Sequence, residues 1–163
     1  RMTTPLAQPD AVIVAETGVG RFQVEVVAPG ATFLADEPEA VGGLGSGPNP
    51  YDLLAAALGA CTTMTMRLYA ERKGWPLERA LVRVLHAREG LKGRDRFARE
   101  IVLKGPLSAE QTKRLLEIAD KCPVHRTLET GSEIITVLSA QPTSDLALAG
   151  EAHLRDMLEA CAE

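Results

Sequence analysis

Hydrophobic and polar residues alternate near the beginning of the chain. Apolar side chains occupy every second position from Phe22 to Val26, which is the period of a half-buried strand. A similar segment at 11–16 precedes it, and the glycine-containing turn at 18–20 would join the two as a hairpin. A short third strand is predicted at 32–35. The pattern therefore predicts three antiparallel strands.

A long helix predicted over residues 50–73 is the clearest element of the sequence. Asn49 is a favourable N-cap, Pro50 suits the first helical position and Asp52 completes a capping box, while Gly74 ends the run. The predicted apolar stripe consists of Leu54, Ala57, Leu58, Cys61, Met64 and Leu68. Because many of its other residues are small, we expect a central helix that is covered on most sides.

The second half of the chain repeats the order of strands followed by helices. Alternation at 80–87 and 97–103 predicts a second hairpin, and a capping box predicts a helix over 108–121. A short helix would begin at Pro123, followed by a last strand at 133–138 and a helical tail. Runs of strands with segregated helices favour an α+β fold with antiparallel sheets rather than a parallel α/β sheet.

Composition limits the classes of protein to which the chain can belong. Its 163 residues are 45% hydrophobic and 25% charged, which is typical of one globular domain. We place that domain at 11–140, between an N-terminal extension at 1–10 and a helical C-terminal tail at 141–163. A net charge of −4 and only 4% aromatic residues do not suit nucleic-acid binding.

The expected location of the protein depends on two kinds of segment that the sequence does not show. The longest unbroken apolar run, 53–60, is far shorter than the ~20 residues that span a bilayer, so we expect no membrane-spanning helix and no membrane partner. The first ten residues contain no apolar core of a secretory signal. We therefore expect a cytoplasmic protein.

The three cysteines are the candidates for chemistry. An odd number in a cysteine-poor chain does not indicate a disulfide framework, so catalytic, redox or metal-binding roles remain. Cys61 lies about three turns into the long helix, where it could be a buried core thiol. Cys122 precedes Pro123 and is a candidate N-cap, a position that favours a thiolate, and His125 follows within one turn. Cys161, in the tail, is taken as an incidental thiol.

Other kinds of site are less well supported. Cys61, His86, Cys122 and His125 could form a zinc site, but the chain has no paired CxxC motifs. The glycine-rich segment at 42–48 lacks the Lys-Ser/Thr of a phosphate-binding loop. No Gly-x-Ser-x-Gly sequence indicates a serine hydrolase. We expect no cofactor and no metal.

One combination of motifs resembles a known family. The sequence GPNPYDLLAAALGAC, which ends at Cys61, and the sequence CPVH, which begins at Cys122, together resemble the OsmC/Ohr family. The resemblance implies antiparallel sheets around a long central helix, an intertwined homodimer with active sites at the subunit interface, and a thiol peroxidase that reduces organic hydroperoxides.

The resemblance also implies roles for individual residues. Cys61 corresponds to the peroxidatic cysteine and Cys122 to the resolving one, with their disulfide reduced by an external dithiol. Arg21 is the best match for the arginine that favours the thiolate. The glutamate that orients this arginine in the family is replaced by Tyr51, with Asp52 next to it. This departure keeps open an alternative, a non-catalytic or weakly active dimer that binds a small hydrophobic ligand.

Overall fold

The computed structural model describes residues 11–140 and 153–162. Within these residues the order of elements is β1 Ile13–Glu16, β2 Val24–Ala28, β3 Ala31–Ala35, a 3₁₀ turn Glu39–Val41, α1 Pro50–Lys73, β4 Arg79–Arg88, β5 Asp95–Lys104, α2 Ala109–Ala119, α3 Pro123–Thr130 and α4 His153–Ala160. The predicted N-terminal extension at 1–10 lies outside the described residues, as do 141–152 and 163 of the predicted tail.

The described residues form two compact units. One contains residues 11–53 and 136–140, and the other contains residues 54–135 and 153–162. The first holds an antiparallel sheet in the order β1-β2-β3, and the second holds the antiparallel pair β4-β5. The predicted α+β fold with antiparallel sheets and a long helix is confirmed.

The turn between β1 and β2 is longer than the alternation predicts. Gly18 and Gly20 adopt left-handed backbone conformations, with φ of 77° and 68°, which side chains other than glycine rarely adopt. The Thr17 hydroxyl donates to the side-chain oxygen of Gln23 at 2.7 Å and closes the turn. β2 therefore begins at Val24, and Arg21 lies in the turn before it.

Helix α1 begins and ends where the sequence predicts. The Asn49 side chain accepts the Asp52 backbone N–H at 2.9 Å, and the Asp52 carboxylate accepts the Asn49 N–H at 3.0 Å. This capping box satisfies two N–H groups that a helix otherwise leaves unpaired.

The buried face of α1 is rotated from the predicted stripe. Its buried residues are Leu58, Cys61, Thr62, Thr65, Met66, Tyr69 and Ala70, whereas Leu54 and Met64 are 41% and 52% exposed. Ala57 is exposed as well, so the predicted stripe, which counted only apolar residues, is wrong at three positions. Thr62 and Thr65 are buried with their hydroxyls donating to the carbonyls of Leu58 and Cys61, each at 2.7 Å, so burial leaves no hydroxyl unpaired.

By length and composition α1 could also cross a membrane. Its 24 residues include an 18-residue window with a mean hydropathy of 1.2, so the expectation based on the longest unbroken apolar run does not hold. Within that window, 44% is buried inside the protein. A core helix passes the same test, and one such helix is a weak indication of a membrane.

The β4-β5 hairpin packs one face onto the helices of its unit. Ala80, Val82, Ile101 and Leu103 contact a core cluster. That cluster consists of Met66, Tyr69, Ala70, Leu77, Leu115, Ile118, Ala119 and Cys161. The alternation that predicts this hairpin therefore also identifies its inward face.

The prediction of a last strand at 133–138 is wrong for the described residues. These residues form no regular element and pair with no strand among the described residues. Ile134 and Leu138 are 85% and 101% exposed. Alternation identifies side chains suited to a strand, but a strand also needs a neighbour for its backbone N–H and C=O groups, which local sequence does not specify.

Candidate active site

The fold brings Cys61 and Cys122 together although they are 61 positions apart in the sequence. Cys61 lies on the buried face of α1, and Cys122 is the N-cap residue of α3. The two cysteines and Leu58 form a buried cluster, with the cysteines 2% and 0% exposed. The thiol of each cysteine has the largest influence on the pKa of the other, so the two thiols titrate as a pair.

A backbone donor and a hydroxyl group lie beside the Cys122 sulfur. The His125 backbone N–H, in the first turn of α3, donates to it at 3.4 Å, and the Thr62 hydroxyl lies at 3.7 Å. Pro123 occupies the first helical position, where its missing N–H costs no hydrogen bond. The sulfur thus caps the helix as a side-chain oxygen would, and an anion is stabilised there.

Arg99 ties the neighbourhood of Cys122 together. Its guanidinium donates to Thr62 Oγ1 and to the Ala119 carbonyl, both at 2.9 Å, and to Asp120 Oδ1 at 2.8 Å and His125 Nδ1 at 2.7 Å. The Arg99 side chain is only 12% exposed. One buried cation therefore links β5 to α1, α2 and α3.

Sequence reasoning missed Arg99, although a signal was present. In β5 the half-buried positions are Phe97, Arg99, Ile101 and Leu103, so a charged residue interrupts the inward apolar face. Arginine is rarely buried without partners for its charge. An arginine on the inward face of an otherwise regular strand was a reason to expect a functional contact.

These contacts lower the pKa of Cys122 to about 5. The hydrogen bond from the Cys61 thiol is the largest cause, and the His125 N–H, the Thr62 hydroxyl and the charge of Arg99 act in the same direction against the effect of burial. The pKa of Cys61 is raised, chiefly by its hydrogen bond to Cys122 and then by burial. The contacts therefore favour an anion at Cys122 over one at Cys61.

Cys61 has its own set of neighbours. The Val124 backbone N–H donates to its sulfur at 3.4 Å, and the Thr65 hydroxyl lies at 4.0 Å. The closest polar atom is Nε2 of His153, at 2.9 Å from the sulfur. Sequence reasoning missed His153, because no local motif relates a tail residue to a helix more than ninety positions away.

A pocket lies beside the cysteine cluster. It has a volume of about 310 Å³ and is lined by Leu58, Phe97, Arg99, His125 and Leu128, with charged residues at 94–96 and 129. Three of these residues, Leu58, Phe97 and Leu128, also contact the cysteine cluster. Within the part of the chain that the structure describes, the cysteines themselves are not among the lining residues.

The ring of His125 is oriented by its neighbours. A guanidinium only donates, so Nδ1 of His125 accepts from Arg99 and the ring proton lies on Nε2. That atom is 3.4 Å from the Glu129 carboxylate. His125 is therefore fixed at the wall of the pocket and is not turned toward the Cys122 sulfur.

Arg21 and Cys161, which the sequence analysis also considered, have contacts outside the cysteine cluster. Arg21 belongs to the N-terminal unit, where its guanidinium lies 4.9 Å from the centre of the Phe22 ring; its role beside Cys61 stays a prediction. Cys161 is buried, its sulfur is 3.6 Å from the Thr65 carbonyl, and burial raises its pKa. It belongs to the core rather than to the Cys61 cluster.

The zinc and phosphate alternatives gain no structural support. His86 binds Asp95 at 2.7 Å and packs against Phe97, and residues 11–140 and 153–162 contain no cluster of three or more His, Cys, Asp or Glu residues able to hold a metal. In the glycine-rich loop, the N–H groups of Leu44 and Ser46 donate to the Asp36 carboxylate at 3.1 and 3.3 Å. A phosphate would need such groups free.

Comparison with known proteins identifies relatives of this architecture. A family model described as OsmC-like protein matches residues 43–137, which is more than half of the chain. No curated protein sequence matches.

Solved structures support the same fold. An OsmC-like protein from Mycoplasma pneumoniae has a TM-score of 0.63 at 19% identity, covering 76% of this chain and 89% of that one. An organic hydroperoxide resistance protein OsmC from Legionella pneumophila has a TM-score of 0.56 at 23% identity, covering 75% and 91%. The organic hydroperoxide resistance protein OhrB of Bacillus subtilis has a TM-score of 0.50 at 19% identity, covering 72% and 89%. At these identities the similarity establishes the fold.

Proposed function

This chain belongs to the OsmC-like protein family, and we propose that it is a thiol-dependent peroxidase that reduces organic hydroperoxides. The observation that carries the proposal is the buried pair of Cys61 and Cys122, held beside a pocket that combines apolar and charged lining residues. Two of the solved relatives are named organic hydroperoxide resistance proteins. The pair is suited to a cycle in which one thiol is oxidised and the other forms a disulfide with it.

The first step oxidises Cys61. Its sulfur attacks the terminal oxygen of the hydroperoxide, the S–O bond forms as the O–O bond breaks, and the alcohol leaves as an alkoxide that takes up a proton. The product is a sulfenic acid on Cys61. Sulfur has then lost two electrons, and the peroxide has been reduced by two.

The second step uses Cys122, where an anion is favoured. Its thiolate attacks the sulfenic sulfur, the S–S bond forms and hydroxide leaves, which takes up a proton to become water. The His125 N–H and the charge of Arg99 both lower the pKa of Cys122, and both remain in place to favour this thiolate after Cys61 is oxidised. An external dithiol then reduces the disulfide by exchange.

The pocket supports the choice of an organic substrate. Leu58, Phe97 and Leu128 offer an apolar surface for an alkyl or aryl group, while Arg99 and His125 offer donors at the same wall. Hydrogen peroxide would gain nothing from the apolar part. The proposal further includes Arg21 as the residue that favours the Cys61 thiolate, a dithiol reductant, a cytoplasmic location and no cofactor.

The test is hydroperoxide consumption by the purified protein with a dithiol such as dithiothreitol. We expect consumption of an aryl hydroperoxide to be faster than that of hydrogen peroxide, and one equivalent without reductant to yield a Cys61–Cys122 disulfide with Cys161 free. Peptide mapping before and after reduction checks the connectivity. No consumption, or a disulfide that includes Cys161, would contradict the proposal.

We also propose that the protein is a homodimer. The two-stranded β4-β5 sheet exposes about half of Leu81, Leu85 and Val102 on its outer face, and an exposed apolar patch is typical of a protein-protein interface. Residues 133–138 likewise expose apolar side chains, with no pairing strand among the residues that the structure describes. A second copy would cover both kinds of surface.

Light scattering at micromolar concentration should give about twice the chain mass of 17.4 kDa. Replacing both Leu81 and Leu85 by glutamate should shift the protein toward the monomer, because carboxylates are costly to bury in an interface. Leu91→Glu is the matched control, since Leu91 is 92% exposed at the hairpin turn. A monomer for the unmodified protein would contradict the dimer.

Tyr51 favours a second candidate function. It stands where the resemblance places a glutamate, so the chain lacks that carboxylate beside the arginine. A dimer of the same fold that binds a small hydrophobic ligand without reducing peroxide fits this departure and the apolar part of the pocket. Ligand binding without hydroperoxide consumption would favour this alternative.

A further inference from the structure

The proposed reaction still needs a group that accepts the Cys61 proton, because Arg21 is a permanent cation that can favour the thiolate but cannot take up a proton. The contact of Cys61 with Cys122 makes this proton harder to lose and raises the pKa of Cys61. Cys122 could take the proton, but it would then lose the charge with which it attacks the sulfenic acid. The Val124 N–H is a donor only, and the Thr65 hydroxyl is a poor base.

His153 is placed to meet this requirement. It is the first residue of α4, it is partly buried, and its Nε2 atom lies 2.9 Å from the Cys61 sulfur. An imidazole both accepts and donates protons near neutral pH, as a general acid-base group must. Cys61 and His153 belong to the same compact unit.

The helix that carries His153 is anchored along its length. Met157, Ala160 and Cys161 are buried, and Cys161 contacts the carbonyl of Thr65, one turn along α1 from Cys61. α4 also packs against α3, whose first turn donates to both sulfurs. The imidazole is therefore attached to a packed element, and α4 lies beyond the residues that match the family model.

Resting on the function proposed above, we propose that α4 supplies a catalytic residue, His153, which takes the Cys61 proton as the sulfur attacks and returns it to the departing alkoxide. The neutral thiol and the hydroperoxide give a sulfenic acid and an alcohol as the S–O bond forms and the O–O bond breaks, and the imidazole is neutral before and after. The S–H proton passes to Nε2 and then to the alkoxide oxygen, so histidine is restored in the same step. The Cys122 thiolate keeps its charge for the attack that follows.

A single-turnover experiment tests this role. Loss of the Cys61 thiol after mixing with an aryl hydroperoxide is followed by acid quenching and mass spectrometry, in the full-length protein and in His153→Gln. Glutamine keeps a hydrogen-bond donor but cannot exchange a proton, so the rate should fall by about 10²-fold or more. Glu159→Gln, at an exposed position of the same helix, should keep the rate of the unmodified protein.

Rescue of the rate by free imidazole distinguishes a loss of proton transfer from a loss of structure. Free imidazole should restore part of the rate to His153→Ala and none to Cys61→Ser, because only the first variant lacks just the proton carrier. If His153→Gln fails to fold, this comparison replaces it. A full rate in His153→Gln, or no restoration of His153→Ala by imidazole, would overturn the proposal.

A readout independent of peroxidase activity keeps the two proposals distinguishable. The chain has three histidines, so their imidazole nitrogen signals can be assigned by NMR. The pH titration of His153 should change when Cys61 is replaced by alanine, and that of His86 should not. If the His153 signal changes with Cys61→Ala but the protein consumes no hydroperoxide, only the proposed peroxidase activity is refuted. If the His153 signal does not change, the proposed role of His153 is refuted.

Discussion

Cys61→Ser is expected to lower the rate of organic hydroperoxide reduction by on the order of 10³-fold or more, because a serine hydroxyl is not ionised at neutral pH and cannot form the sulfenic acid. The measurement is consumption of an aryl hydroperoxide with dithiothreitol as reductant. Cys161→Ala is the matched control, since Cys161 lies in the core cluster and not in the pair. It should keep the rate of the unmodified protein.

Cys122→Ser should behave differently from Cys61→Ser. Cys61 would still be oxidised in the first turnover, but its sulfenic acid would lack the neighbouring thiolate and would proceed to sulfinic acid under excess peroxide. Mass spectrometry of the Cys61 peptide distinguishes these products. Sulfinic acid at Cys122 in the Cys61→Ser variant, with turnover retained, would instead show that the two cysteines have exchanged roles.

Arg99→Leu is expected to lower the free energy of unfolding by about 2–4 kcal/mol, because it removes a buried cation and leaves the Ala119 carbonyl without this donor. It should also raise the pKa of Cys122, since the guanidinium charge is one of the causes that lower it. Arg83→Leu is the control, because Arg83 forms an exposed ion pair with Glu100 and should cost far less.

The two effects of Arg99→Leu are measured separately. Urea unfolding gives the change in stability, and thiolate ultraviolet absorbance as a function of pH gives the pKa. Cys61→Ala should raise the Cys122 pKa more than Arg99→Leu does, because the Cys61 hydrogen bond is the larger cause. A larger rise of the Cys122 pKa in Arg99→Leu than in Cys61→Ala would show that the charge of Arg99 has the larger effect on the ionisation of Cys122.

The same ionisation makes the stability of the fold depend on pH. The pKa of Cys122 is lower in the folded chain than its ordinary value of 9.0, so its contribution is present above that ordinary value and is lost as the pH falls through about 5. The ionisation of Cys122 should therefore make the free energy of unfolding rise with pH across this interval. The slope should be smaller in Cys122→Ser.

Features fixed by neighbours in the sequence were predictable from the sequence. The bounds of α1 follow from Asn49, Asp52 and Gly74, and the N-cap position of Cys122 follows from Pro123, because caps act over one turn. The two hairpins follow from alternation and short turns. The family resemblance rests on the same local motifs, and the matched family model confirms it.

Features that depend on distant partners were not predictable in this way. The cluster of Arg99 around Thr62 and His125 joins four separate elements, and the approach of His153 to Cys61 depends on how α4 packs. The buried threonines of α1 count as polar in any pattern, although their own helix satisfies their hydroxyls. A pairing partner for residues 133–138 cannot be inferred from alternation alone.

The donors around Cys122 also have a consequence for the redox poise of the pair. A thiolate is present only in the reduced protein, so every contact that stabilises it favours the dithiol over the disulfide. Each unit by which the pKa of Cys122 lies below the ambient pH makes the disulfide more oxidising by about 30 mV. The disulfide formed during turnover should therefore be a strong oxidant that ordinary cellular dithiols reduce readily, unlike the reduction-resistant bridges that staple secreted proteins.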